Sequence, residues 1–162
     1  MAEIPRLNPN LKTRERSIQA VVGFGRELVA FMQMDLELEG KEEEGVIYIN
    51  LTGADRPALL SNSASLLNNI EYLLNKIFHS GRDDTHGIVV DSDQYRQHRE
   101  AELILLAQMA SQKVISLRKP LNLQPMTPRE RRIVHLALTG IAGVRTESSG
   151  EGDSRSITIY PA

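Results

Sequence analysis

Arg131 and His135 stand one helical turn apart in the run "MTPRERRIVHLALTG", which also carries Arg129 and Arg132. A guanidinium fork pairs with a phosphate. An imidazole one turn away can stack on a base or donate to a phosphate or sugar oxygen, so the spacing suits contact with a single strand of nucleic acid. The helix that must hold these side chains is signalled redundantly. Thr127 can cap it, Pro128 suits its first position, and Glu130 completes a Thr-x-x-Glu capping box. At about 100° per residue, Ile133, Val134, Ala137, Leu138 and Ile141 form a core face, and Arg131, Arg132, His135 and Thr139 fall on the other side. Arginines at 129, 131 and 132 oppose the positive end of the helix dipole, at a cost of about 0.3 to 1 kcal/mol each. That conflict points to an anion site made of the helix end and its arginines. A solvated charged surface accounts for the same residues.

The remaining chemistry is thinner. "HSGRDDTH" offers His79, Asp83, Asp84 and His86, but their spacing matches no familiar metal site and a polar loop explains them, so no metal or other cofactor is expected. His98 lies in the charged start of a helix, as a surface residue rather than an acid-base catalyst. "GFG" (Gly23 to Gly25) lacks the third glycine and the preceding strand of a dinucleotide loop, and reads as a close helix-packing contact. No Gly-x-Ser-x-Gly, phosphate loop or Cys/His pair is present, and the expectation is a protein that is not an enzyme.

The 162-residue chain can bury a core as one domain or as two small ones. It has no cysteine, no run of membrane-spanning length and no signal peptide, so a cytoplasmic protein without membrane insertion is expected. The sequon at Asn50 to Thr52 falls in a strand and is read as chance. Net charge is only −2, but residues 1–45 are acidic on balance and residues 118–162 are cationic on balance, which keeps a nucleic-acid partner open.

Hydrophobic spacing predicts a helix over 12–33, with Ile18, Val21, Val22, Leu28, Val29 and Met32 on one side. "MDLELEG" and "VIYINLTG" alternate as a hairpin around the charged turn "GKEEEG". A short helix follows Asp55, a longer one covers Ser65 to Phe78, "IVVD" is a buried strand, and 93–117 is the longest helix, with Leu103, Leu106, Ala107, Ala110 and Val114 on one side. "RKPLNLQP" is a break before the Thr127 helix and a closing hairpin, "VRTESSGEGDSRSITIYP". The order predicts an α+β fold of two small layers in series.

"RERRIVH" with the hairpin after it resembles the R-3-H domain, named for an Arg-x-x-x-His motif that Arg131 and His135 match. "LQPMTPRERRIVHLAL" resembles the signature of the bacterial Jag proteins, and "VVDSDQYRQHREAELILLAQMASQKV", with Asp91, Tyr95, Arg96 and Arg99, is similar to the Jag segment between domains. "INLTGADRPALLSNSASLLNNIEYLLNKI" aligns with the Jag KH domain. The resemblance implies a type II KH-like domain over 12–91 followed by an R-3-H domain over 92–162, in a bacterial protein that binds single-stranded RNA, with single-stranded DNA as a second candidate. It also implies a link to cell elongation and envelope control, and a small KH-domain protein or a second copy as partner. The extra N-terminal domain of many Jag proteins is not matched. Arg131 and His135 carry over as nucleic-acid contacts, with Arg129, Arg132, Arg145 and Arg155 around them.

One stretch departs from the pattern. A KH domain joins its central helices by Gly-x-x-Gly, because only glycine lets backbone approach four nucleotides closely. The aligned residues are Ser61, Asn62, Ser63 and Ala64. Asn62 can adopt a left-handed conformation, and Ser63 or Ser65 can cap the next helix, so the turn is expected to survive without phosphate access. A weak RNA clamp, a structural turn and a protein-docking surface all remain open for it. The alternative for the whole chain is an interaction scaffold whose KH face has lost RNA.

Overall fold

A computed structural model describes residues 17–78 and 87–162. His79, Asp83, Asp84 and His86 lie outside the described residues, as does the start of the helix expected from residue 12. The chain divides into two compact units, Met1–Gln94 and Tyr95–Ala162.

The first unit opens with α1 (Ile18–Phe31), capped by Ser17, whose hydroxyl oxygen accepts from the Ala20 N–H at 3.2 Å. A left-handed Gln33 (φ 55°) ends the helical path. Of the two glycines in "GFG", only Gly25 is a packing contact: a Cβ there would run into the Leu38 side chain, whereas Gly23 has open space around it. Strands β1 (Glu37–Glu43) and β2 (Val46–Thr52) pair antiparallel. The first strand runs further into the charged stretch than its sequence pattern indicates, because Glu44 and Gly45 both take positive φ (50° and 78°) and close a two-residue turn.

Pro57 sits in the first turn of α2 (Arg56–Leu59), and α3 (Ser61–Phe78) leads back to β3 (Ile88–Asp91), which pairs parallel to β2. Three consecutive residues inside α3, Asn62, Ser63 and Ala64, are left-handed (φ 50°, 57° and 56°), so the regular right-handed run starts at Ser65, as the sequence indicates. Leu38, Ile47, Ile49, Leu51, Ile88 and Val90 are buried on the sheet together with Val21, Leu67, Ile70 and Leu74 from the helices. Phe24 and Phe78 meet edge to face at 5.8 Å.

The second unit is led by α4 (Tyr95–Leu117), whose Leu103, Ala107, Ala110 and Val114 pack with Val134, Leu138, Leu123, Met126, Ile157 and Ile159. Leu106, expected on that stripe, is 42% exposed, because it stands at the stripe's edge at about 100° per residue. The "RKPLNLQP" break holds a short strand, β4 (Leu121–Asn122). It pairs with Ile159 and Thr158 of β6 (Ser156–Pro161), and β6 pairs on its other side with β5 (Val144–Ser149), giving an antiparallel sheet in the order β4-β6-β5. Helix α5 (Pro128–Leu138) packs on α4 and the hairpin. No helix among the described residues is long and apolar enough to cross a membrane.

Candidate nucleic-acid interface

The start of α5 is fixed by a complete capping box. Thr127 Oγ1 accepts from the Glu130 N–H at 3.3 Å, and Glu130 Oε2 accepts from the Thr127 N–H at 2.8 Å and from its hydroxyl at 2.9 Å. The other carboxylate oxygen accepts from Arg99 Nε at 2.8 Å, and Arg99 Nη1 also reaches Glu102 at 2.8 Å. Glu130 is only 6% exposed. Burial alone would raise its pKa, but the hydrogen bonds from Arg99 and Thr127 outweigh it and hold the carboxyl below its ordinary value. The helix end expected to receive an outside anion thus holds the chain's own carboxylate. That acid also offsets the arginines' conflict with the dipole. Sequence pattern identified Glu130 as a cap but not its pairing with Arg99, whose partner is 31 residues away.

Arg131 and His135 project from one flank of α5 towards the hairpin. Arg131 Nη1 donates to the Met126 carbonyl at 2.9 Å, which folds the side chain back along the helix start. His135 Nδ1 lies 2.6 Å from Thr146 Oγ1 on β5. Thr146 pairs with buried Ile159 in the ladder, so it stands on the core-side face of the ribbon, as does Ser148, two residues on. Ser148 accepts from Arg155 Nε at 3.1 Å, and the Arg155 carbonyl accepts from the Met126 N–H at 3.1 Å. Arg131 stands one turn from His135 on α5, and His135 and Arg155 bond to Thr146 and Ser148, two residues apart on one face of β5, so the three side chains border one polar strip between α5 and the edge strand.

The other arginines are distributed differently. Arg132 is exposed beside His135, and Arg129 points to the far side of α5 from Arg131; neither makes an ion pair among the described residues. Arg145 is opposite Tyr160 in the ladder and stacks on its ring at 4.3 Å, with Glu147 Oε2 at 3.4 Å. Because side chains alternate along a strand, Arg145 stands on the outer face of the ribbon, away from Thr146 and His135. Six residues close in sequence pattern thus divide into a strip of three (Arg131, His135, Arg155), a neighbour (Arg132) and two that point elsewhere. Thr146 and Ser148 were missed in the sequence, where the only signal was their alternation on a strand whose register was not yet known.

Residues 101–161 match the R-3-H domain family. Over these residues the second unit is similar to that family. Around this stretch, the chain is similar to "RNA-binding protein KhpB" of Clostridium symbiosum, 32% identical over 128 residues, covering 79% of this chain and 58% of that protein. The protein of the same name in Bacillus subtilis (strain 168) is 29% identical over 121 residues, covering 74% and 58%. The one in Lactiplantibacillus plantarum is 35% identical over 72 residues, covering 44% and 22%. The chain spans a little over half the length of the first two. In this chain the arginine and histidine of the Arg-x-x-x-His spacing, Arg131 and His135, are both engaged by the fold, one through a backbone carbonyl and one through a strand hydroxyl.

In the first unit, Ser61 and Asn62 are exposed, Ser63 is half-buried and Ala64 is buried. The Ser61 hydroxyl donates to the Ala58 carbonyl at 2.7 Å, and the Asn68 amide donates to the Ser63 carbonyl at 3.5 Å. Neither Ser63 nor Ser65 makes a side-chain cap to α3 among the described residues, contrary to the sequence expectation. The left-handed turn already leads the chain into the helix. Asn75 takes the bonding role further along, donating to and accepting from Ile88 at 2.7 and 2.9 Å, which ties α3 to β3.

Proposed function

We propose that the chain binds single-stranded RNA without catalysing a reaction on it, through the strip formed by Arg131, His135 and Arg155 with Arg132 beside it. The observation that carries the reading is the convergence of these side chains from α5 and the β5–β6 turn onto one face. The R-3-H match and the similarity to proteins named as RNA-binding support it. A few charged contacts supply most of such binding, so it is modest and salt-dependent. The strip holds no aromatic side chain for stacking besides the imidazole, which limits base specificity and leaves single-stranded DNA as a competitor.

The first unit is read as a type II KH-like domain. Its element order α-β-β-α-α-β and its antiparallel-then-parallel sheet support that reading. The Ser61–Ala64 turn lacks both charge and glycine, so this unit contributes little grip on phosphate and is better suited to a protein partner, either a small KH-domain protein or a second copy. The Jag resemblance extends the reading to a cytoplasmic regulator linked to cell elongation and envelope control.

The test is a titration of labelled single-stranded RNA at two salt concentrations against wild type and the double variant Arg131→Ala/His135→Ala. Wild type binds saturably at low salt, and the double variant loses most of that binding. Absence of saturable binding by wild type rejects the function, and equal binding by the variant rejects the surface.

A further inference from the structure

Among the described residues the His135 ring has a single side-chain partner, and it is a hydroxyl rather than a carboxylate or a carbonyl. Thr146 sits in the β5–β6 ladder opposite fully buried Ile159, and its branched side chain has few rotamers open to it, so the hydroxyl is held where the ladder puts it. The helix fixes the other end: the His135 carbonyl accepts from Thr139 Oγ1 at 2.9 Å. The backbone of this exposed histidine is therefore held by α5 and its ring by β5.

We propose that Thr146 is the positioning residue of His135: its hydroxyl donates to Nδ1, keeps the neutral ring's proton on Nε2, and turns that N–H outward as a donor to a bound strand. A hydroxyl can donate or accept, whereas the phosphate oxygens of a nucleic acid only accept. A ring with its proton on Nδ1 would present a lone pair to them. The tautomer of an imidazole is set by the bond its other nitrogen makes, and here that bond comes from β5. Arg131, one turn earlier, is pinned in the same manner by the Met126 carbonyl, so both motif side chains meet the ligand with their orientation already fixed. The choice of ligand rests on the RNA-binding reading above; the state of the ring does not.

The experiment combines ring ¹⁵N–¹H correlation spectra of the free chain, taken where His135 is neutral, with titration of labelled oligouridine at low salt. Wild type shows the proton on Nε2. Thr146→Val weakens that preference to the modest Nε2 bias of a free imidazole, so that an Nδ1-protonated fraction becomes detectable, and binds oligouridine about three- to tenfold more weakly, the change expected from one hydrogen bond. Thr146→Ser keeps both properties. A neutral wild-type ring protonated on Nδ1 overturns the proposal, as does a Thr146→Val protein with wild-type spectra and affinity. A Thr146→Ser protein that behaves like Thr146→Val also overturns it, by assigning the ring's position to the methyl group. If wild type binds no oligouridine, the RNA reading fails, while the ring spectra still decide whether Thr146 positions His135.

Discussion

Replacing Glu130 by alanine removes the group that joins the start of α5 to α4, and its cost can be worked from the contacts. The carboxylate, 6% exposed, accepts three hydrogen bonds, from Arg99 Nε, the Thr127 N–H and the Thr127 hydroxyl. Removing one partner of a buried ion pair costs about 3–5 kcal/mol. Here the Arg99 side chain keeps 29% of its exposure and retains Glu102, so part of that loss is recovered by water and by the second carboxylate. The Thr127 hydroxyl can still accept from the backbone N–H at 130. A net destabilisation of about 2–3 kcal/mol remains, and Glu130→Gln, which keeps one acceptor, costs about 1–2 kcal/mol. Urea unfolding followed by circular dichroism measures both. A double-mutant cycle with Arg99→Met isolates the pair, and the double variant should lose clearly less than the sum of the single variants.

The same group has a pH signature. Because its folded-state pKa lies below the ordinary value of 4.5, Glu130 contributes stability that is fully present above that pH and is lost as pH falls through the depressed value. Glu130→Gln should therefore flatten the acid limb of the stability curve. A Glu130→Ala loss under about 0.5 kcal/mol, or an unchanged acid limb in Glu130→Gln, would refute this account of the helix start.

Three further outcomes follow from the geometry. Gly25→Ala places a Cβ against the Leu38 side chain and should destabilise the first unit by about 1–3 kcal/mol, read by urea unfolding, whereas Gly23→Ala, in open space on the same helix, should be neutral or mildly stabilising. Ser63→Gly relieves a left-handed residue (φ 57°) and should raise stability by up to about 1 kcal/mol; a loss would mean that the turn is not left-handed there. Arg155→Ala should weaken RNA binding and lower the salt slope by about 0.7, the value for one phosphate contact on a single strand, whereas Arg145→Ala, on the outer face of the ribbon, should leave that slope unchanged.

What the sequence made legible, and what it left hidden, follows the range of the interactions. Local signals were readable because they are complete within a few residues: the Thr127 cap, Pro128 and Glu130 announce α5, and the alternation from Val46 to Leu51 announces β2. The two-residue strand at Leu121–Asn122 was hidden, since two residues carry no periodicity and its identity comes from pairing with β6. Leu106 was misplaced for a related reason: α4 carries apolar residues around much of its circumference, with Leu105 and Met109 exposed, so spacing alone does not mark the edge of the buried stripe. At the candidate site, the Arg131/His135 pair was visible as a spacing, but its partners were not. Met126, Thr146 and Ser148 become neighbours only when the hairpin register is set, and the same register sends Arg145 to the opposite face.

The central claim is that one strip of the second unit, and not the Ser61–Ala64 turn, receives the nucleic acid. Backbone amide chemical-shift mapping during titration with a short single-stranded RNA tests it most directly. The account predicts saturable shifts at Arg131, His135, Thr146, Ser148 and Arg155, and little change at Asn62, Ser63 and Ala64. Shifts concentrated at the Ser61–Ala64 turn, or at Arg145 and Tyr160 with the strip unmoved, would contradict it.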